Sequence, residues 1–517
     1  MSRLFGTDGI RGIANTELDA ELAYRVARAA TYFLVKNGPA SETGGVPAAG
    51  AGPAGGGVTP VRPGQPASRP GIIVGRDTRA SGDLLEAAVV AGICSSGADA
   101  LRAGVMTTPG VAYLSRLPGI AGGFMISASH NPAEYNGIKV FNVNGFKLPD
   151  PVEEEIETLV LGPAGLSDVV RAASGPACGT AAGASDRLPR PTKGDVGRAR
   201  VLSKDESTEM YMGFLMSVAE ESAHRSPAGR DLGAAPLEGL KVVLDCANGS
   251  ASAIAPEVFR RLGAQVVAVC DSPDGLNINV KCGSTYPATL CEAVRRNQAD
   301  VGFAYDGDAD RCIASDEKGN VVDGDQILAI CGLDMASRGV LKDNTVVATV
   351  LSNLGLEVAL RRSGVSVKRT RVGDRYVLEE MLASGYNLGG EQSGHIIFLN
   401  HSTTGDGILT SLKVASIIKA SARKFSSAAA MTKYPQVMVN VKVAGAIGSL
   451  SERLSSASGV QAVIARAEKA LGETGRVVVR PSGTEPLIRV MVETDDAGRA
   501  LQIAEEIGEV ISREFGA

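Results

Sequence analysis

The stretch GIIVGRD (residues 71–77) has the pattern of a buried strand, and it opens a unit that recurs twice further along the chain. A helical pattern follows at 84–96, and Gly97 separates it from another apolar stretch. The same order of strand, helix, glycine and strand begins again near residue 240 and near residue 345. Short apolar runs joined by helices are typical of a buried parallel or mixed sheet. The sequence therefore predicts three related α/β domains with mixed sheets.

The carboxyl-terminal part has a different order of elements. Its patterns predict a strand at 437–443, a helix at 460–471, strands at 476–480 and 487–493, and a helix at 497–515. This βαββα order indicates a smaller α+β domain with helices on one face of an antiparallel sheet. The overall fold class is therefore predicted to be α/β, with a fourth, smaller domain at the carboxyl end.

Length and composition restrict the class of protein. The chain has 517 residues, of which 44% are hydrophobic and 21% charged, as in a soluble protein of several domains. A net charge of −5 without a run of basic residues argues against nucleic acid or a membrane surface as the partner. The absence of a long apolar segment favours a cytoplasmic location. Eight cysteines without metal-ligand or redox spacing predict free thiols and no disulfides.

Two stretches, 38–69 and 162–200, are rich in Gly, Ala, Pro and Ser and poor in large apolar residues. Such segments bury too little surface to offset the entropy of ordering, so we expect mobile surface insertions. The predicted organisation is a first domain at 1–161 that carries the first insertion, the second insertion at 162–200, a second domain at 201–300, a third at 301–419, a hinge at 420–434 and a fourth domain at 435–517.

A cluster of polar residues follows one of the predicted strands. SASHNP (127–132) comes directly after an apolar run, and NGIK (136–139) comes soon after it. Pro132 biases the preceding residue away from helical conformation, so the chain is expected to leave the strand in an open turn. This turn would present Ser129 at the carboxyl end of the strand, where open α/β sheets bind ligands. By itself the cluster is equally compatible with a nucleophile loop and with a simple turn.

DGDADR (306–311) also follows an apolar run. In an extended chain Asp306, Asp308 and Asp310 point to the same side, which brings three carboxylates together. Like charges at such close range need a cation, and Mg²⁺ suits oxygen ligands. An Asp/Gly surface turn is the alternative, but the third aspartate and the preceding strand favour a metal site.

Three further loops carry polar groups between glycines. RPSGTEP (480–486), with Arg489 beyond it, suits a phosphate that does not react, although a tight hairpin would have similar residues. GGEQSGH (389–395) offers a carboxylate, an amide and a hydroxyl that suit sugar hydroxyls, although a glycine-rich turn would look the same. FGTDGIRG (5–12) lies so near the terminus that fraying is its default, and Arg11 there would otherwise be a solvated charge.

These five motifs, in this order, resemble the α-D-phosphohexomutase superfamily, and the resemblance spans the chain apart from the two insertions. It implies four domains around a central cleft. The implied activity is a reversible shift of a phosphoryl group between the 6- and 1-oxygens of a hexosamine through a phosphoserine. The implied cofactors are one Mg²⁺ per active site and glucose or glucosamine 1,6-bisphosphate, as activator and intermediate.

The resemblance also assigns roles to individual residues. Ser129 matches the phosphorylated serine and, with Asp306, Asp308 and Asp310, the metal ligands. Lys139 and Arg11 match groups for proton transfer and charge stabilisation, with the division between them left open, and His130 would orient the serine loop. The residues expected to bind substrate are Arg311, Glu391, Ser393, His395, Arg480, Ser482, Gly483, Thr484 and Arg489.

The sequence also bears on the choice of sugar. Gln392 and the stretch 277–286 look like the glucosamine branch of the superfamily, which feeds UDP-N-acetylglucosamine and cell-envelope synthesis. Tyr135 is more typical of phosphoglucomutase/phosphomannomutase relatives, which remain the alternative. A phosphosugar-binding protein without catalysis is a second alternative, which the complete set of catalytic residue types disfavours. The expected partner is a phosphosugar, with neither nucleic acid nor membrane, and a homodimer and an activating kinase are left open.

Overall fold

The computed structural model describes residues 4–6, 8–36, 69–161, 188–224, 235–421, 423–428, 431–444, 450–482 and 486–516. The first predicted insertion lies outside the described residues except for Arg69, and so do residues 162–187 of the second. Gly483 and Thr484 also lie outside them. Four sheets organise the described part of the chain.

The first sheet has six strands and carries the serine loop. Its strands are β1 Ile10–Ile13, β2 Gly71–Arg76, β3 Asp99–Val105, β4 Ile120–Ile126, β5 Tyr135–Asn142 and β6 Ala199–Val201, in the order β1-β5-β4-β2-β3-β6. Its helices are α1 Ala20–Lys36, α2 Gly82–Ser95, α3 Thr108–Leu114 and α4 Asp150–Leu161. Every residue of β4 is buried, as expected for a continuous apolar run in the middle of a sheet.

Strand β6 lies partly within the stretch predicted to be the second insertion. It pairs in parallel with β3, and the amide of Ala100 donates a 2.8 Å hydrogen bond to the carbonyl oxygen of Arg198. The end of that stretch therefore belongs to the first sheet. The strand consists of three exposed residues, so it has no apolar pattern that could have revealed it.

The second sheet carries the aspartate loop. Its strands are β7 Lys241–Asp245, β8 Gln265–Val269, β9 Val301–Tyr305, β10 Cys312–Asp316 and β11 Val321–Val322, in the order β11-β10-β9-β7-β8. The helices of this region are α5 Met210–His224, α6 Ala255–Arg261 and α7 Ala288–Asn297. Because β9 and β10 are antiparallel neighbours, the loop 306–311 connects them. The predicted domain boundary at residue 300 falls within this sheet.

The third sheet has the strands β12 Thr345–Thr349, β13 Ser366–Thr370, β14 Leu388–Gly390 and β15 Ile396–Phe398, in the order β13-β12-β14-β15. Its helices are α8 Gly324–Ser337, α9 Leu354–Arg361, α10 Asp374–Ser384, α11 Gly407–Ser421 and α12 Phe425–Ala428. A capping box formed by Asp323 and Gln326 starts α8. The predicted sugar-binding stretch 389–395 comprises the end of β14 and the loop 391–395 that connects it with β15.

The fourth sheet has three antiparallel strands, β16 Gln436–Lys442, β17 Gly475–Pro481 and β18 Leu487–Thr494, in the order β16-β18-β17. Its helices are α13 Leu450–Ser456, α14 Ser458–Leu471 and α15 Ala497–Phe515. The predicted βαββα order is present, with α13 as an additional short helix. The prediction of three α/β domains and a smaller α+β domain is thus confirmed.

One apolar cluster spans the first three domains, the first domain has a second large cluster of its own, and the fourth domain has a separate one. Met125, Phe303 and Val346, from three different sheets, belong to the same buried cluster. Val490 and Ile507 belong to a separate cluster in the fourth domain. Within the part of the chain that the structure describes, every helix is too short or too polar to span a lipid bilayer.

Candidate active site

The serine loop holds its backbone in an unusual conformation. Ser129 is buried and has φ +54°, a left-handed conformation that costs a non-glycine residue about 1–2 kcal/mol. Its carbonyl oxygen accepts hydrogen bonds of 2.9 Å from Nη2 of Arg79 and 2.9 Å from Nδ2 of Asn279. These donors come from a loop after β2 and from the loop that follows β8. They fix the backbone and, with it, the direction of the serine hydroxyl.

A buried ion pair that the sequence analysis missed supports this loop. Arg79 is fully buried, and its Nε lies 2.9 Å from Oδ2 of Asp77. The hydroxyl of Ser127 donates to the same Asp77 oxygen at 2.6 Å and accepts from the amide of Ser129 at 2.9 Å. Burial raises the pKa of Asp77, although Arg79 opposes this shift. The only feature of the sequence that pointed to this ion pair was the position of Asp77 directly after an apolar strand.

The aspartate loop meets the serine loop directly. Asp306, Asp308 and Asp310 are buried, and one carboxylate oxygen of each lies within 4.8 Å of the others. The hydroxyl of Ser129 donates a 2.6 Å hydrogen bond to Oδ2 of Asp306. Gly307 makes this approach feasible, because a Cβ atom there would lie only 2.6 Å from the carbonyl oxygen of Ser129. The predicted nucleophile and the predicted metal ligands therefore form one cluster.

The aspartate cluster fits a divalent cation. Oδ1 of Asp308 and Oδ1 of Asp310 are buried and have no hydrogen-bond partner among the described residues. A buried acceptor without a donor costs about 1–3 kcal/mol, which a cation would offset. Burial and the charges of Asp310 and Asp308 raise the pKa of Asp306 well above its usual range. Three clustered carboxylates supply the oxygen ligands that Mg²⁺ prefers.

Lys139 lies against the same carboxylates. Its side chain is 1% exposed, and Nζ lies 2.9 Å from Oδ2 of Asp308, 3.0 Å from Oδ2 of Asp310 and 3.0 Å from Oδ2 of Asp8. Burial disfavours its charged form, but Asp308, Asp310 and Asp8 outweigh burial and raise the pKa of Lys139 well above the usual value. The lysine is therefore a charged ammonium group inside the cluster.

Asp8 joins several basic residues and was also missed as a site residue. It forms ion pairs with Arg11, Lys139 and Lys147. Burial opposes its ionisation, but Lys139, Lys147 and Arg11 hold the pKa of Asp8 well below its usual range. Lys147 also contacts Asp374 at 2.5 Å, which links the first domain with the start of α10 in the third. The sequence feature that could have identified Asp8 as a site residue was its position in FGTDGIRG, three residues before Arg11.

His130 lies beside the serine hydroxyl, and Arg311 lies beside two of the aspartates. Nδ1 of His130 is 3.4 Å from Oγ of Ser129. Burial, together with Arg311 and Arg11, lowers the pKa of His130 to about 4. The imidazole is therefore neutral near pH 7. Nε of Arg311 lies 4.0 Å from Oδ2 of Asp306 and 3.9 Å from Oδ1 of Asp310.

The three predicted substrate-binding residues of the stretch 389–395 differ in their exposure to solvent. Ser393 is exposed, and Glu391 is half-buried and accepts a 3.1 Å hydrogen bond from the amide of Gly373. Burial and Asp374 raise the pKa of Glu391. His395 is buried instead: its Nδ1 lies 3.8 Å from Oδ2 of Asp310, and its Nε2 accepts a 3.0 Å hydrogen bond from the amide of Gly405. His395 thus lies behind a predicted metal ligand, and its predicted contact with substrate stays a prediction.

The fourth domain places two arginines opposite each other. Arg480 on β17 and Arg489 on β18 are cross-strand partners in the register of the sheet. Burial and the charge of Arg489 lower the pKa of Arg480. Like charges directly opposite are destabilising, a cost that a bound anion would offset. The amide of Ser482 donates a 2.8 Å hydrogen bond to the carbonyl oxygen of Leu487 at the base of this loop.

Comparisons with known proteins agree with this architecture. Models of the phosphoglucomutase/phosphomannomutase α/β/α domains I, II and III and of the C-terminal domain match residues 54–163, 225–319, 323–434 and 438–510. Phosphoglucosamine mutase from Carboxydothermus hydrogenoformans is 46% identical over 517 residues, which is 99% of this chain and 100% of that protein. The enzyme of the same name from Symbiobacterium thermophilum is also 46% identical, with 100% of both chains covered.

Solved structures share the fold at low sequence identity. A phosphoglucomutase/phosphomannomutase family protein from Burkholderia thailandensis has a TM-score of 0.72 at 18% identity, covering 99% of this chain and 98% of that one. N-acetylphosphoglucosamine mutase from Aspergillus fumigatus, solved with GlcNAc-6P and magnesium, has a TM-score of 0.60 at 18% identity, covering 99% and 96%. With the full-length relatives and the four matching domains, these findings confirm the resemblance: the chain belongs to the phosphoglucosamine mutase family of the α-D-phosphohexomutase superfamily.

Proposed function

We propose that this protein, an isomerase, interconverts glucosamine 6-phosphate and glucosamine 1-phosphate through a phosphorylated Ser129 and glucosamine 1,6-bisphosphate. The observation that carries this proposal is the 2.6 Å hydrogen bond between the Ser129 hydroxyl and Asp306. It puts a serine that can carry phosphate next to three carboxylates, two of which, Asp308 and Asp310, have an oxygen without a hydrogen-bond partner among the described residues. A serine hydrolase would need the hydroxyl to donate to a base, but here it donates to Asp306, and the neutral imidazole of His130 lies farther away, at 3.4 Å.

The proposed chemistry is two reciprocal phosphoryl transfers. In the first, the bond from phosphorus to Oγ of Ser129 breaks while a sugar hydroxyl oxygen bonds to phosphorus, and the proton that this hydroxyl loses replaces the phosphoryl group on Oγ. In the second, Oγ bonds to the other phosphorus of the bisphosphate, the bond from that phosphorus to the sugar oxygen breaks, and the Oγ proton passes to the sugar oxygen. A bound Mg²⁺ would neutralise charge on the transferring group. Asp306, Asp308, Asp310 and an oxygen of phosphorylated Ser129 would hold that ion.

The remaining residues would bind, orient and protect the substrate. Lys139 and Arg11 are proposed to stabilise charge and to transfer the proton, and neutral His130 to orient the serine loop. Glu391 and Ser393 would bind sugar hydroxyls common to both orientations of the substrate. The fourth domain would bind the phosphate that is not reacting and exclude water that could hydrolyse the phosphoserine. Its proposed ligands are Arg480, Ser482, Gly483, Thr484 and Arg489.

Peptide mapping of the purified protein tests the phosphoserine. We expect one phosphoryl group on the peptide that contains Ser129, and its loss, together with loss of mutase activity, in Ser129→Ala. Ser217→Ala, which removes an exposed hydroxyl on α5, is the matched control and should keep both. Undiminished activity in Ser129→Ala without phosphate on the protein would reject the mechanism.

Competing substrates test the choice of sugar. With Mg²⁺ and a trace of glucose 1,6-bisphosphate as activator, kcat/KM should be largest for glucosamine 6-phosphate. The comparison sugars are glucose 6-phosphate and mannose 6-phosphate. A larger kcat/KM for either neutral sugar would favour phosphoglucomutase/phosphomannomutase activity instead.

A further inference from the structure

Two cysteines and an aspartate come together behind the serine loop. Cys270 follows β8, Cys282 lies in the loop before α7, and Asp245 ends β7. The two sulfur atoms and one carboxylate oxygen of Asp245 all lie within 4.8 Å of one another. Both cysteines are free thiols in this structure. Their separation along the sequence resembles no redox motif, so only the fold reveals the pair.

The chain between the two cysteines is already folded back on itself. Cys270, Asn279 and Lys281 adopt left-handed conformations, with φ of 50°, 60° and 52°. The carboxylate of Asp245 accepts hydrogen bonds from the amides of Ala247 at 3.0 Å and Gly283 at 2.9 Å. The carbonyl oxygen of Cys270 accepts a 2.6 Å hydrogen bond from the amide of Asn248, so both ends of the loop are held near β7, and a bond between the sulfur atoms would cost little further loop-closure entropy.

The two thiols differ in exposure and in acidity. Cys282 is 1% exposed, whereas Cys270 is half-buried. A hydrogen bond between the thiols lowers the pKa of Cys270 and raises that of Cys282. Burial and the Asp245 carboxylate oppose ionisation of Cys270, so the hydrogen bond between the thiols is what favours its thiolate. An accessible thiolate beside a second thiol is the usual arrangement for reversible oxidation.

The loop between the cysteines supports the active site. Nδ2 of Asn279 donates to the carbonyl oxygens of Ser129 at 2.9 Å and Asn131 at 3.1 Å. Just beyond Cys282, the amide of Ser284 donates a 2.7 Å hydrogen bond to the carbonyl oxygen of Tyr305, the residue before Asp306. A displacement at Cys282 would therefore reach both the serine loop and the aspartate loop.

We propose that Cys270 and Cys282 form a reversible disulfide that slows the enzyme by displacing Asn279 from the serine loop. Disulfide sulfur atoms are about 2 Å apart, so bond formation draws the two chain segments together. The rate effect rests on the proposed mutase activity, whereas the cross-link does not. The proposed oxidant is a peroxide, with hydrogen peroxide as the probe.

The oxidation proceeds in two balanced steps. The Cys270 thiolate attacks one peroxide oxygen, the O–O bond breaks, and the hydroxide released combines with the proton that Cys270 lost to form water. The Cys282 thiol then attacks the sulfur of the resulting sulfenic acid, the S–O bond breaks, and the departing hydroxide takes the Cys282 proton. Two thiols and one peroxide thus give one disulfide and two waters, with both thiols oxidised and the peroxide reduced.

The experiment treats reduced full-length protein with hydrogen peroxide, then measures initial rates and maps peptides without reductant. We expect a peptide cross-linked through Cys270 and Cys282, a fall in kcat of roughly tenfold to a hundredfold, and full recovery with dithiothreitol. Cys270→Ser should keep the basal rate and lose the response. Cys94→Ser, which removes another half-buried thiol, is the matched control and should keep the response.

Three results would overturn the proposal. The first is peroxide treatment that leaves these two thiols unlinked, and the second is a cross-link with no change in rate. The third is one equivalent of zinc in the purified protein that disappears in Cys270→Ser, because the cluster would then be a metal site. Peptide mapping requires no turnover, so failure of the cross-link is distinguishable from failure of the proposed mutase activity.

Discussion

Nζ of Lys139 lies 2.9 Å from Oδ2 of Asp308, so an ammonium group occupies part of the cluster that we propose to bind Mg²⁺. Oδ1 of the same aspartate has no hydrogen-bond partner among the described residues. The lysine therefore balances some of the carboxylate charge while leaving oxygens available to a cation. Two positive charges at such close range repel each other, and the lysine should weaken the binding of the ion.

Replacing Lys139 with methionine should separate its effect on Mg²⁺ affinity from its effect on catalysis. We expect Mg²⁺ to bind roughly tenfold more tightly, because the repulsion is removed. We also expect kcat to fall by about a hundredfold or more, because a charge aimed at the reacting phosphoryl group is lost. Titration calorimetry with Mg²⁺ measures the first effect, and Lys36→Met, on the exposed end of α1, is the control. Weaker Mg²⁺ binding would mean that the lysine organises the ligands.

Arg79→Met should destabilise the protein by about 3–5 kcal/mol, because it leaves Asp77 buried without its charge partner. The serine loop loses three carbonyl contacts at the same time, so kcat should also fall. Urea unfolding measures the stability. Arg513→Met removes an exposed ion pair, with the arginine side chain 74% exposed, and should change the free energy of unfolding by less than about 1 kcal/mol. Equal effects of the two variants would contradict this account of Arg79.

His130 should remain unprotonated down to about pH 4, whereas an unperturbed histidine titrates near 6.5. As pH falls through this interval, the unfolded chain takes up the proton before the folded one does. The contribution of His130 to stability is therefore complete above about pH 6.5 and declines toward pH 4. The chain has only 4 histidines, so NMR titration with His130→Asn for assignment is practical. A titration midpoint near pH 6.5 for His130 would contradict the conclusion that burial, Arg311 and Arg11 lower its pKa.

Glu493 connects the fourth domain to the third. It is fully buried, accepts 3.2 Å hydrogen bonds from Nδ2 of Asn353 and the amide of Leu354, and pairs with Arg476. Glu493→Gln removes one charge of this buried pair and should weaken the junction by about 3–5 kcal/mol. Calorimetry should then resolve an earlier transition for the fourth domain. Glu505→Gln, which changes an exposed residue on α15, is the control and should leave the calorimetric unfolding profile the same as that of the unmodified protein.

The elements of the fold were predictable because their signals are local. The strand at 71–77, the helix at 84–96 and the carboxyl-terminal βαββα order each follow from apolar runs and turn residues nearby in the chain. All of them lie within a few residues of the observed β2, α2 and fourth-domain elements. Strand β6 was missed because three exposed residues pair with β3 through backbone groups alone.

The site was only partly predictable because its contacts join distant parts of the chain. Apolar strands before Ser129 and Asp306 indicate loops at strand ends, but no local pattern shows that these loops meet. Arg79 and Asp8 were missed although each has a charged partner nearby in the chain, because the contacts that place them in the site come from distant segments. The proximity of Cys270 and Cys282 likewise depends on backbone conformations that the residue types do not reveal.

Because the fourth domain has a separate apolar core, the free energy of binding phosphate there could also position this domain relative to the others. Arg480 and Arg489 belong to a unit whose apolar cluster is distinct from that of the other three domains. Binding of the phosphate that does not react could then do two things: hold the substrate and bring the fourth domain over the sugar. A hexosamine without that phosphate should react more slowly even at saturating concentration, because the free energy of binding this group would no longer favour the proposed closure of the fourth domain over the sugar.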